Sequence, residues 1–117
     1  MRRSLTKKQI IRSKAEIDNV FKAGKRASLS CFKLYVAKNC LEYSRMIVIP
    51  ARHYGNSVQR NLIRRQVKEI WRTNQDKLPS GLDFVVIVYP MRKAETTFEN
   101  KQKTLLELFM KTIPLDG

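Results

Sequence analysis

A run of apolar residues from Phe84 to Tyr89 is the feature that most limits how this chain can fold. The run has the length of a strand and does not alternate with polar residues, which is typical of a strand covered on both faces of a sheet. Another strand is predicted at 45–51 and a helix at 57–74, so that strand, helix and strand follow one another. This order predicts a βαβ unit with parallel strands.

Capping signals and hydrophobic periodicity predict further elements. An S-x-x-E box begins at Ser13 and is followed by apolar residues at helical spacing, which predicts a helix over 13–23 that ends at Gly24. Alternation over 31–37 predicts a strand. A short strand around Leu29 would pair with it as a hairpin.

The chain of 117 residues is predicted to form a single domain over 1–117. Ser57 is the expected N-cap of the second helix, and a third helix is expected over 94–111. The expected fold is α/β (α+β) in the order α-β-β-β-α-β-α, with about four strands in one sheet and three helices. Residues 1–12 are basic and contain no acid, so a flexible arm is expected there.

Positive charge dominates the composition, because the chain has 24 Lys and Arg but only 10 Asp and Glu residues, for a net charge of +14. A compact domain with this much like charge repels itself, so a polyanionic partner is expected, and nucleic acid is the leading class. The chain has no apolar stretch of the ~20 residues that cross a membrane, and no apolar segment follows its N-terminal charges. The predicted location is the cytoplasm, with no membrane partner.

Cysteine and histidine are too scarce to organise this fold through metal or disulfide chemistry. Cys31, Cys40 and His53 are the only such residues, fewer than the four ligands of a structural zinc site. Both cysteines are interpreted as reduced side chains in or near the core. The sequence shows no nucleophile elbow, phosphate-binding glycine loop or zinc-hydrolase spacing.

The helix predicted at 57–74 has two chemically different sides. On a helical wheel its polar residues share one arc of about 140°, while Ile63, Val67 and Ile70 lie on another side. The polar arc contains Arg60, Asn61, Arg64, Arg65, Lys68 and Arg72. Only Glu69 offers an opposite charge along this helix. One side is therefore expected to pack on the sheet while the other presents five cations.

A face of this kind suits RNA. Arginine carries a planar fork that bonds phosphate bidentately and stacks on bases. Asn61 can both donate and accept toward bases or 2′-hydroxyls, and Gly55 permits a tight approach of the chain into the helix. A solvated basic face without a ligand is the alternative that the pattern leaves open.

The same stretch resembles a family signature. Residues 55–69 read Gly-x-Ser-Val-x-Arg-Asn-x-x-Arg-Arg-x-x-Lys-Glu, which is similar to the signature of the bacterial ribonuclease P protein component. His53 stands where that family usually has lysine. Segments at 20–26, 34–36 and 81–86 also resemble the family in order and separation.

The resemblance implies a non-catalytic subunit of ribonuclease P, the endonuclease that removes the 5′ leader of precursor tRNA. Its partners would be the catalytic RNA subunit and precursor tRNA, and its cofactor would be magnesium held mainly by the RNA. The protein alone would be inactive and would not need to oligomerise. The implied RNA-facing residues are Arg52, His53, Arg60, Asn61, Arg64, Arg65, Lys68 and Arg72. The implied fold contains a left-handed βαβ crossover, against the usual right-handed rule.

The resemblance also implies a cleft for the single-stranded leader between the first helix and the sheet. Phe21 and Tyr35 are the candidates for this cleft, because aromatic faces stack on unpaired bases. Core packing is the alternative for both, although Tyr35 alternates away from Phe32 and Leu34 along its strand. Ile17 stands where the family commonly has an aromatic residue, so no stacking role is assigned to it.

Rival functions stay open at this point. A ribosomal or general structured-RNA-binding protein would share the size and charge but not the ordered set of motifs. A stand-alone nuclease would need a constellation of carboxylates or histidines that the sequence does not display. A DNA-binding helix-turn-helix does not fit the βαβ pattern around the second helix.

Overall fold

The computed structural model describes residues 10–11, 13–39, 41–90 and 97–112. Its helices and strands are α1 (Lys14–Ala23), β1 (Lys25–Leu29), β2 (Phe32–Lys38), β3 (Arg45–Pro50), α2 (Ser57–Thr73), β4 (Leu82–Val88) and α3 (Phe98–Thr112). The predicted order α-β-β-β-α-β-α is confirmed. Most of the predicted arm, Cys40 and residues 94–96, where α3 was predicted to begin, lie outside the described residues.

The four strands form one mixed sheet in the order β1-β2-β4-β3. β1 and β2 make the predicted antiparallel hairpin, and β2 pairs antiparallel with β4. β3 runs parallel to β4, which confirms the βαβ prediction for β3, α2 and β4. β4 lies between β2 and β3, and this central place explains why nearly all of its residues are buried. The left-handed crossover stays a prediction from the resemblance.

One face of the sheet carries the main core. There α2 and α3 pack over alternate residues of the strands, such as Leu34 and Val86. Trp71 of α2 and Phe109 of α3 both meet Phe84 of β4 edge to face, with ring centroids 5.9 and 5.6 Å apart. Such aromatic pairs contribute about 0.5–1.5 kcal/mol each beyond their burial. This core fixes the position of α2 on the sheet.

The opposite face of the sheet is only partly covered. α1 packs there through Val20, which joins Ile11, Ala37 and Val85 in a small cluster. Five further side chains of this face are half-buried and are called the open face below: Lys33, Tyr35, Ile47, Ile49 and Ile87. A largely apolar sheet surface that stays partly exposed is a typical place for a ligand or partner.

Asn56, not Ser57, caps α2, and this corrects the prediction. Asn56 Oδ1 accepts from the backbone N–H of Gln59 at 2.9 Å, and Gln59 Oε1 accepts from the N–H of Asn56 at 3.0 Å. This reciprocal box satisfies a backbone donor of the first turn together with the donor of the cap itself. Asparagine and serine cap about equally well, so two adjacent residues competed for the position and the backbone conformation decided between them.

The two ends of α1 also differ from expectation. Ser13 Oγ accepts from the N–H of Glu16 at 3.4 Å, as the predicted box requires, but the Glu16 carboxylate is bound by Arg45 of β3. Gly24 ends the helix at φ −81°, so no left-handed conformation requires a glycine. A Cβ there would lie 2.4 Å from the Val20 carbonyl oxygen and 2.9 Å from a carbonyl oxygen of β2. Close packing is therefore the reason for this glycine.

Two further expectations can be compared with the described residues. Cys31 is buried against the main core, as the sequence indicated. Within the described ranges, no helix is both long enough and apolar enough to span a membrane.

Candidate nucleic-acid interface

The connection from β3 to α2 has a backbone geometry that few residues allow. The N–H of Ala51 donates to the Val88 carbonyl at 2.7 Å, and the N–H of Tyr54 then closes a turn on the Ala51 carbonyl at 3.0 Å. Gly55 follows at φ +145°, where a Cβ would lie 2.2 Å from Gln59 Oε1. This geometry carries the chain from the sheet directly into the capping box of α2.

Arg60 points back toward this connection. Its Nη1 donates to the Ala51 carbonyl at 2.7 Å and its Nη2 to the Pro50 carbonyl at 3.2 Å. Hydrogen bonds from a charged donor are about twice as strong as neutral ones, so they tie the first turn of α2 to the end of β3. Arg60 belongs to the predicted RNA-facing set, but its guanidinium has hydrogen-bond partners within the protein.

Apart from Arg60, whose guanidinium binds backbone carbonyls, three cations of α2 have no acidic partner in the part of the chain that the structure describes: Arg64, Arg65 and Lys68. Asn61 lies among them, and its Oδ1 accepts from Arg64 Nη1 at 3.0 Å. We call these four residues the basic face. Asn61 and Arg65 are exposed, while Arg64 and Lys68 are half-buried. Charge that the protein does not neutralise is available to phosphate groups.

Arg72 differs from the basic face because an acid lies one turn away. Its Nε donates to Glu69 Oε1 at 3.0 Å, and a second bond joins its Nη2 to Glu69 Oε2. These hydrogen bonds lower the pKa of Glu69 and raise the pKa of Arg72. The predicted RNA-facing charge of Arg72 is thus offset by Glu69.

Arg52 and His53 lie in the turn between β3 and α2, and both side chains are exposed. They precede Gly55 on the connection that Arg60 holds in place. The structure therefore divides the predicted set into three parts: the exposed turn, the basic face on α2, and two arginines, of which Arg60 binds backbone carbonyls and Arg72 binds Glu69.

A groove that was not predicted from the sequence lies where α2 passes the start of α3. The groove has a volume of about 490 Å³ and is lined by Leu62, Arg65, Gln66, Lys68, Glu69, Arg72 and Phe98. Leu62 and Phe98 are 48% and 39% exposed, beside cations of α2. Apolar surface next to positive charge suits nucleobases as well as phosphates. No local pattern could reveal the groove, because Phe98 comes from a different helix.

Phe21 and Tyr35 meet at the edge of the open face. Their rings are edge to face with centroids 4.8 Å apart, and Phe21 remains 37% exposed. Lys33 Nζ lies 5.5 Å from the centroid of the Tyr35 ring, within reach of a cation–π attraction. Tyr35 and Ile17 also pack against the small cluster. Tyr35 therefore combines packing with a partly accessible ring.

The described residues contain no group of three or more His, Cys, Asp and Glu side chains that could hold a metal ion. Glu69, the acid nearest in sequence to the basic face, is engaged by Arg72. These residues do not fit a protein-borne magnesium site, and we assign no chemical step to a metal held by the protein.

The chain matches the ribonuclease P family over residues 5–113. The ribonuclease P protein component of Petrotoga mobilis is 40% identical over 93 residues, which are 80% of this chain and 77% of the relative. The ribonuclease P protein component of Thermotoga maritima is 35% identical over 99 residues, 85% of this chain and 83% of the relative.

Solved structures share the fold. The RNase P protein from Thermotoga maritima superposes with a TM-score of 0.76 and 31% identity, over 86% of this chain and 94% of that chain. The RNase P protein from Staphylococcus aureus has a TM-score of 0.79 over 90% of this chain and 95% of that chain, and at 21% identity it supports the fold alone. Sequence similarity over most of the chain and a common fold together show that this chain belongs to the family of ribonuclease P protein components.

Proposed function

We propose that the chain is the non-catalytic, RNA-binding subunit of ribonuclease P, and that it uses one surface for the catalytic RNA and another for the 5′ leader of precursor tRNA. Family membership makes the chain a protein component of ribonuclease P; the division between two surfaces is the proposal. The two surfaces lie on opposite faces of the sheet, with α2 on one and α1 on the other. One protein could therefore hold both RNAs at once.

The observation that carries the proposal is the unneutralised charge of the basic face. Arg64, Arg65 and Lys68 project from a helix whose other side is buried in the main core, so packing fixes where they stand. Phosphate contacts release counterions, which favours an RNA partner. Asn61 adds a donor and an acceptor for a base edge or a 2′-hydroxyl. In this arrangement Arg60 supports the surface by holding the connection before it.

An unpaired leader strand suits the open face. Phe21 offers an exposed ring, and Tyr35 stands beside it with Lys33 near its face. Bases can stack on such rings or contact Ile49 and Ile87 while the backbone approaches the lysine. Paired RNA presents mainly phosphates and hydroxyls, so a partly apolar surface favours a single strand.

In this proposal the RNA subunit supplies the chemistry and holds most of the magnesium. The described residues contain no cluster of three or more His, Cys, Asp and Glu side chains, and the one histidine of the chain lies in an exposed turn. The protein contributes position and positive charge. In this proposal the protein acts in the cytoplasm.

Cleavage of precursor tRNA at low magnesium tests the proposal. Reactions contain a bacterial ribonuclease P RNA alone, the protein alone, or both together. We expect cleavage at the mature 5′ end only with both, because the cations of the protein replace part of the screening that magnesium gives to RNA–RNA repulsion. Cleavage by the protein alone would contradict a non-catalytic role. Tight but unselective RNA binding without stimulation would favour a general structured-RNA-binding protein.

A further inference from the structure

The two ends of α1 are held on the sheet in different ways. At the C-terminal end, Gly24 packs against the backbone of β2 and leads directly into β1. At the N-terminal end, Glu16 Oε2 accepts a hydrogen bond from Arg45 Nη1 at 2.7 Å, across 29 residues of sequence. Val20 is the one residue of α1 that is fully buried. The half-buried Ile17 adds to this apolar contact, and the ion pair is the polar contact of α1 with β3.

Hydrogen bonds to a neighbouring strand orient the guanidinium of Arg45 for this contact. Asp83 faces it in register on β4 and accepts from its Nε at 2.8 Å and from its Nη2 at 2.6 Å. Asp83 is 4% exposed and also accepts from Asn39 Nδ2 at 2.9 Å. The bond to Asp83, above all, raises the pKa of Arg45, so the guanidinium stays charged. Because Asp83 binds Nε and Nη2, the planar guanidinium is held in one orientation, and Nη1 points toward Glu16.

The rotation of α1 decides where Phe21 stands. Glu16 and Val20 are one turn apart and both contact the sheet side, so together they set this rotation. Phe21 is the next residue after Val20, and in this orientation its ring meets Tyr35. If the ion pair of Glu16 were lost, buried Val20 and half-buried Ile17 would be left to hold the helix against turning and tilting.

We infer that Glu16 is a positioning residue. Its ion pair with Arg45 fixes the position and rotation of α1 on the sheet and thereby holds Phe21 against Tyr35 in the leader-binding surface. The inference rests on the proposed function, because it adds to the leader contact a residue that does not itself touch the leader. Asp83 continues to neutralise Arg45 when Glu16 is replaced. Loss of Glu16 therefore releases α1 and leaves the sheet intact.

The test measures the affinity of the assembled holoenzyme for precursor and for mature tRNA. For Glu16→Ala we expect the preference for precursor to fall by about threefold to fivefold, the scale of a partly exposed ion pair. Affinity for the RNA subunit should not change, because α2 lies on the other face of the sheet. Glu16→Gln keeps an acceptor oxygen for Arg45 and should retain part of the preference.

Asp18→Ala is the matched control. Asp18 lies on the same helix and is exposed, so the substitution removes the same charge near the leader without breaking the ion pair. It should keep the wild-type preference. Emission from Trp71, which is buried in the main core, checks that every variant remains folded.

Three outcomes would overturn the inference. If Glu16→Ala keeps the wild-type preference while Tyr35→Ala loses it, the leader contact stands and the positioning role falls. If Glu16→Ala and Asp18→Ala lose preference equally, charge rather than position explains the effect. If Tyr35→Ala and Glu16→Ala both keep the preference, the leader contact of the proposed function fails as well.

Discussion

Arg60 Nη1 donates to the carbonyl oxygen of Ala51 at 2.7 Å, which joins the first turn of α2 to the residue that directly follows β3. Arg60→Ala would leave this carbonyl with one donor fewer, and we expect it to lower the free energy of unfolding by about 1–3 kcal/mol. Urea denaturation followed through Trp71 measures the change. Arg65→Ala is the control, because Arg65 is exposed on the same helix. Equal stability of the two variants would show that the hydrogen bonds of Arg60 contribute little to the free energy of unfolding.

Arg65 should act on binding rather than on folding. Arg65→Ala is expected to reduce the slope of log affinity against log salt for the RNA subunit by about 1, because one phosphate contact is lost. Its free energy of unfolding should stay within about 0.5 kcal/mol of wild type. Lys103→Ala removes an equal charge from an exposed position on α3 and serves as control. A wild-type slope for Arg65→Ala would remove this residue from the interface.

Tyr35 should distinguish precursor from mature tRNA. Tyr35→Ala removes a ring that can stack on an unpaired base, so we expect the preference for precursor to fall by about fivefold or more. Tyr35→Phe keeps the ring and its contact with Phe21 and should keep the preference. Binding of both tRNAs to the holoenzyme provides the comparison. Equal losses for precursor and mature tRNA would argue against a leader contact.

Gly24 should tolerate no side chain. In Gly24→Ala the new Cβ would lie 2.4 Å from the Val20 carbonyl oxygen and 2.9 Å from that of Val36. The backbone would have to shift, which we expect to lower the free energy of unfolding by about 1–3 kcal/mol. Lys22→Ala, at an exposed position of the same helix, should change it by less than about 0.5 kcal/mol. Urea denaturation of both variants decides, and similar stabilities would mean that β2 can move aside.

Lys101 should make stability depend on alkaline pH. Its Nζ donates to Gln66 Oε1 at 2.6 Å, and burial lowers the pKa of this lysine below its ordinary value. An unfolded lysine has a pKa of about 10.5. At pH values between the lowered pKa of folded Lys101 and this value, the unfolded chain binds more protons than the folded chain. The contribution of Lys101 to the free energy of unfolding therefore rises with pH in this range. We expect Lys101→Met to be more stable than wild type at pH 7 and to lose this advantage toward pH 10.5.

The control for this pH dependence is Lys103→Met, since Lys103 lies exposed on the same helix. Other lysines and tyrosines also titrate at alkaline pH, and subtracting the two variants removes their common contribution. A difference between the variants that stays constant with pH would contradict a lowered pKa for Lys101.

Local patterns in the sequence were enough to determine the elements and their order. Burial on both faces removes most of the alternation, so the apolar run at 84–89 identified the central strand β4, which ends at Val88, before any pairing was known. Arg64, Arg65 and Lys68 lie on one helix, where a period of 3.6 residues decides which side chains share a face. The basic face could therefore be predicted without the sheet.

Only the tertiary structure decided which polar side chains form hydrogen bonds within the protein and which remain available to a partner. Arg60 lies on the same predicted arc as Arg64, yet its guanidinium reaches the end of β3, because α2 starts beside that strand. Glu16 fits a capping box in the sequence, but its carboxylate accepts a hydrogen bond from Arg45 instead. Arg45 lies on β3 next to Asp83 of β4. Such contacts depend on strand register and on how a helix is seated. These are set by the packing of distant segments, which no local spacing of residues encodes.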